Sequence, residues 1–74
     1  MFKELDYNTP IEMWIDFKKG VKFILHYHDN IFNVSGIEPR DKIVYVHFQG
    51  FPVKIYPTGK SAEGPINSIW LEKV

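Results

Sequence analysis

The side chains best suited to chemistry are three histidines. His26 and His28 stand two apart in "FILHYHDNIF" and are followed at once by Asp29; the third is His47. Imidazole can ligate a metal or move a proton near neutral pH, so an H-x-H-D run raises both uses. On a strand, His26 and His28 project from one face with Cα atoms roughly 6–7 Å apart. A zinc site needs further ligands converging on the same point. Glu12 is one candidate, through the hairpin argued below. His47 falls two strands from His26, roughly 9–10 Å away, too far for three imidazoles to share an ion. The ligand set is incomplete, and no metal or other cofactor is expected. Asp29 is better explained by a turn, where short acids bond local backbone.

Nucleophilic chemistry has less support. There is no cysteine, and Ser35, Ser61 and Ser68 lie in no nucleophile motif. Gly59-Lys60-Ser61 matches the end of a phosphate-binding loop, but Lys54 stands where the motif needs its first glycine and Pro65 cuts short the helix that should follow. The expectation is a chain without catalysis.

What these residues can do depends on the elements that hold them. A chain of 74 residues is one small domain, burying roughly 60% of its unfolded surface. Without cysteine it has no disulfide framework, and its 16% aromatic content must supply the buried area. Nine basic residues balance nine acidic ones with no basic run, which disfavours non-specific binding to nucleic acid or anionic membrane. No apolar run nears the ~20 residues of a membrane span, and "MFKELDYN" lacks the apolar centre of a signal peptide. A soluble cytoplasmic protein with no membrane contact is expected.

The segment "TPIEMWIDFKKG" admits two readings. Thr9, Pro10 and Glu12 form a capping box with proline at the first helical position, and Gly20 could end a helix. Alternatively, Ile11, Met13, Ile15 and Phe17 alternate with Glu12, Trp14, Asp16 and Lys18, the period of a strand. The next segment favours the strand. With Lys18-Lys19-Gly20 as a hairpin loop, Phe17, Ile15, Met13 and Ile11 oppose Val21, Phe23, Leu25 and Tyr27, and Asp16 meets Lys22. A turn at Asp29-Asn30 then pairs Tyr27 with Phe32 and Leu25 with Val34. A loop over 38–42 pairs Ile37 with Ile43, Val34 with Val46 and Phe32 with Phe48. A Gln49-Gly50 turn pairs Phe48, Val46 and Val44 with Phe51, Val53 and Ile55.

These hairpins predict an all-β domain: a five- to six-stranded antiparallel meander curling into a small SH3-like barrel. Residues 1–10 form an N-terminal segment, 11–56 the meander, 57–65 a polar loop, and 66–74 a closing strand or short helix. The alternative to a closed barrel is a curved sheet covered by the two terminal segments.

The same registers predict an outer face carrying Trp14, Ile24, His26, His28, Asn33, Tyr45, His47, Lys54 and Tyr56. Such a face is too apolar for a plain solvated surface. Either the chain's own ends cover it, with Phe2, Tyr7 or Trp70 as lids, or it meets a partner. Trp, Tyr and His beside Lys54 and Asn33 have the mixed character of interface hot spots. The expected function is a small binding module acting through protein–protein contact, with a homodimer or another protein as partner. It would suit a regulatory or accessory factor of the kind phages and bacteria encode. The alternative is a small barrel binding single-stranded nucleic acid, with Trp14, Tyr45 and Tyr56 stacking on bases beside Lys54 and Lys22.

Overall fold

The computed structural model describes residues 2–64 and 68–74. Among the described residues there are one helix, α1 (Pro10–Lys18), and six strands: β1 (Phe23–Tyr27), β2 (Asn30–Asn33), β3 (Gly36–Pro39), β4 (Val44–Phe48), β5 (Phe51–Ile55) and β6 (Ile69–Lys73). The domain is mostly strand, as the all-β expectation requires. The strands form two antiparallel three-stranded sheets, ordered β2-β1-β6 and β3-β4-β5, and are not closed into a barrel.

The first expected strand is instead the helix, and its local chemistry says why. Thr9 has extended backbone, φ −136° and ψ 157°, and its hydroxyl accepts from the Glu12 N–H at 3.4 Å. The Glu12 carboxylate accepts in return from the N–H groups of Thr9 at 3.2 Å and Asn8 at 2.6 Å. These bonds satisfy donors that a helix start would otherwise leave orphaned. The C-terminus is closed just as fully. The Gly20 N–H donates to the Phe17 carbonyl and the Val21 N–H to the Asp16 carbonyl, each at 3.1 Å, with Gly20 at φ +100°. This is a Schellman stop, and a hairpin bulge would have asked the same φ of Gly20. Met13, wholly buried, and half-buried Phe17 anchor one stripe of α1 on the core, beside β3.

The β1–β2 hairpin turns at His28-Asp29, with φ of 48° and 68°, one residue before the expected Asp29-Asn30 loop. Leu25 therefore opposes Phe32 rather than Val34. A two-residue slip keeps every side chain on its own face, so the hydrophobic pattern cannot detect it. The next departure is larger. At Val34 and Ser35 the chain leaves the first sheet. The Val34 N–H still reaches the Phe23 carbonyl, but the Ser35 N–H and hydroxyl both donate to the His47 carbonyl in the second sheet. Ile37 then opposes Val46, not Ile43, and turns into the core. The offset between expected and observed pairing is odd, which flips β3 to the other face. The β4–β5 hairpin pairs as expected, Phe48 with Phe51 and Val46 with Val53, around Gln49-Gly50.

The closing segment is a strand, with β6 antiparallel to β1 and Leu71 opposite Leu25. Residues 65–67, within the expected polar loop and closing segment, lie outside the described residues. Isolated bridges from Ser61 to Ile55 and from Lys60 to Trp70 tie β5 to β6, so the polar segment stitches the two sheets together along one side. Between the sheets lie Leu25, Val44, Val46, Phe48, Ile55 and Leu71, all essentially inaccessible to solvent.

Candidate interaction surface

The two-sheet arrangement divides the expected outer face. Ile24, His26 and Asn33 lie on the outside of the first sheet, Tyr45, His47 and Lys54 on the outside of the second, and Trp14 on the helix. His28 is at the first hairpin tip, edge-on to Tyr27 with ring centres 4.6 Å apart. Tyr56 is exposed just past β5. One continuous surface carrying all nine residues is therefore corrected to three separate ones.

On the first sheet the chain covers its own aromatic surface. His26 stacks flat on Trp70, with ring centres 3.7 Å apart and planes 4° from parallel, while Phe2 meets the same indole edge-on at 5.9 Å. Glu72 holds the outer end of His26, Oε1 to Nε2 at 2.8 Å. Of the expected outer-face residues, Trp70 covers His26, and Phe2 in turn packs on Trp70. The imagined Glu12–His26–His28 cluster is dispersed, because Glu12 caps the helix and His26 bonds Glu72. Among the described residues, no group of three or more His, Asp or Glu could hold a metal ion.

On the second sheet, Glu38 accepts from Arg40 at 2.7 Å and lies 3.4 Å from His47 Nε2, and the Arg40 guanidinium lies 4.8 Å from the centre of the Tyr45 ring. Lys54 is the cross-strand neighbour of Tyr45. These pairs are solvent-exposed, so each adds little stability.

Three of the exposed large apolar side chains lie together on α1. Ile11, Trp14 and Ile15 are 54%, 37% and 40% exposed and share one face at i, i+3 and i+4. The period-2 apolar set read as one strand face is split by the helix: Met13 and Phe17 turn in, Ile11 and Ile15 turn out with Trp14. Lys18 continues the outward stripe, with its ammonium 5.9 Å from the Trp14 ring. Ile11 and Ile15 were missing from the expected site, although the capping box and this spacing were both in the sequence. The opposite flank of the helix is covered by the N-terminal segment, where the Tyr7 hydroxyl donates to Asp16 at 2.6 Å. Burial, then the Asp16 hydrogen bond and the charges of Asp16 and Asp6, push the Tyr7 phenol well above its ordinary value.

A groove of about 460 Å³ opens between the end of α1 and the first sheet, lined by Phe17, Val21, Lys22, Ile24, Asn33 and Val34 among others. It brings together two of the expected residues, Ile24 and Asn33, in a mostly apolar setting with one cation. Among the described residues, no helix is long and apolar enough to cross a membrane. The chain matches no protein-family model, no curated protein and no solved structure.

Proposed function

We propose that this protein is a non-catalytic interaction module that binds another protein through the outward stripe of α1. The observation that carries this reading is the exposure of Ile11, Trp14 and Ile15 together on a rigid, doubly capped helix. Three large apolar side chains in one contiguous patch are costly in water, and a tryptophan flanked by aliphatics is the usual composition of an interface hot spot. Lys18 at the end of the stripe favours a partner groove with an acidic rim. The fixed helix lowers the ordering cost of binding.

The test is paired capture. Wild-type protein and Trp14→Ala, each shown folded by circular dichroism, are used as bait, and the partner retained by wild type is then titrated against both. The partner should lose at least roughly tenfold in affinity with Trp14→Ala, the threshold for an interface hot spot, and little with Lys54→Ala. Equal affinity for wild type and Trp14→Ala would remove the reading. Trp70 is buried, so acrylamide quenching of fluorescence reports mainly on Trp14 and should fall when the partner binds.

The single-strand nucleic-acid reading rests on a different observation, the Arg40–Tyr45–Lys54 group on the second sheet. It predicts binding to mixed oligonucleotides that weakens steeply with salt. Glu38 in the middle of that group and the zero net charge of the chain count against it.

A further inference from the structure

Two sheets have four outer edges, and this molecule treats one of them differently. On β5, Pro52 has no N–H to offer, the Lys54 N–H donates to the Glu63 carboxylate at 2.6 Å, and the Lys54 carbonyl accepts from Ala62 at 2.9 Å. The Tyr56 N–H just beyond donates to the Lys60 carbonyl at 2.8 Å. On β6, the outward N–H of Leu71 donates to the Gly59 carbonyl at 3.0 Å. On β3, Pro39 removes a donor and α1 packs alongside. Proline, charge and covering segments are the usual guards against stray strand pairing.

The β2 edge has none of these. Tyr27↔Asn30, Leu25↔Phe32 and the Val34–Phe23 bond fix which backbone groups face β1. By antiparallel alternation, the N–H and C=O groups of Ile31 and Asn33 point away from the sheet. Among the described residues nothing accepts or donates to them. Ile31 is 66% exposed, and the run Asn30 to Val34 contains no charge and no proline.

We propose that the β2 edge pairs with β2 of a second copy of this chain, antiparallel, about a two-fold axis through Phe32. In that register Ile31 opposes Asn33 of the copy, and Asn33 opposes its Ile31. The outward groups of both strands then form two closely spaced pairs of ladder bonds. The next pairs along are Asn30 with Val34, so no like charges meet, and a neutral strand complements itself where a charged one would not. The product is a continuous six-stranded sheet, β6-β1-β2 joined to β2-β1-β6, with a closed two-fold interface that ends association at the dimer. Pairing stops at Ser35, whose N–H is already committed to His47 in the other sheet. The contact is short, below the size of a standard stable interface, so the dimer is weak, with a dissociation constant on the order of 0.1–1 mM.

The test is sedimentation of the full chain from roughly 10 µM to 1 mM, a range bracketing that constant, with amide NMR spectra over the same dilution series. The mean mass should rise toward the dimer, and the shifts should concentrate on residues 30–34, with the Ile31 and Asn33 amides gaining exchange protection. Ile31→Lys, an edge guard of the natural type, should weaken the dimer at least about tenfold. Asn33→Pro, which removes an outward donor, should do the same. Trp14→Ala should leave it unchanged, which separates this edge from the helix surface. A chain that stays monomeric at ~1 mM overturns the proposal, and so does a dimer indifferent to Ile31→Lys in a folded variant or one abolished by Trp14→Ala.

Discussion

The side of the molecule at β5 and β6 and the side at β2 are finished in opposite ways. The first is sealed by a segment that looks like a linker: residues 57–64 are polar, with two glycines and one proline, yet their backbone and the Glu63 carboxylate bond to both strand edges. The second ends in a regular strand whose outer groups meet nothing among the described residues, beside a groove lined by Phe17 of α1 together with Asn33 and Val34. Irregular chain can thus be structural while a regular strand is left available. What separates them is where the backbone hydrogen bonds go.

The largest effect on this contrast should come from breaking the seal. Gly59 has φ +95°, and a Cβ there would lie 3.0 Å from the Leu71 carbonyl oxygen and 3.3 Å from Leu5 Cδ1. Gly59→Ala combines left-handed strain with contact against backbone, and should cost about 2–3 kcal/mol in urea unfolding. Loss of under about 0.5 kcal/mol would mean the seam carries little of the fold.

A smaller loss is expected where the N-terminal segment is pinned to α1. Tyr7→Phe removes the 2.6 Å bond to Asp16 and should cost about 1–2 kcal/mol, as hydrogen bonds to charged acceptors do. The folded chain holds the Tyr7 proton more tightly than the unfolded chain does. The stability this adds is complete below the unfolded value near pH 10 and declines as pH rises above it, because the unfolded state then releases a proton the folded state keeps. Thermal melts of wild type should fall more steeply above about pH 10 than those of Tyr7→Phe. Parallel curves would separate Tyr7 from the alkaline transition.

The smallest effects on stability should be on the open side. Ile31→Lys and Trp14→Ala change exposed surface and should move unfolding by no more than about 0.5–1 kcal/mol, far less than Gly59→Ala. Their effects belong to association. A large destabilisation by either would show that the side chain holds the fold together and would end the contrast between sealed and open sides.

The parts of the fold legible in the sequence share a feature: local chemistry and hydrophobic pattern agreed and left one answer. At Val44 to Ile55, the Gln49-Gly50 turn and three flanking apolar pairs permit a single register. At 9–20 they disagreed, since the capping box asked for a helix while four apolar pairs asked for a hairpin. The capping box prevailed because a helix can bury Met13 and Phe17 and leave Ile11 and Ile15 outside, an outcome the alternation of a strand forbids. The Trp14 site was therefore recognised as a residue but not as a surface, since its neighbours depend on which period the backbone follows.

By itself the sequence determined a small, mostly β domain, the β4–β5 hairpin with its faces, and an excess of large apolar side chains over what one small core can enclose. Composition, turn chemistry and alternation act over a few residues, and those are the distances at which they are decisive. Only the tertiary structure decided that the chain changes sheets at Ser35, that residues 57–64 close two strand edges, and that Ile11, Trp14, Ile15 and Ile31 are among the apolar side chains left outside. Those outcomes follow from where backbone donors and acceptors find partners far along the chain, and residue order does not state that directly.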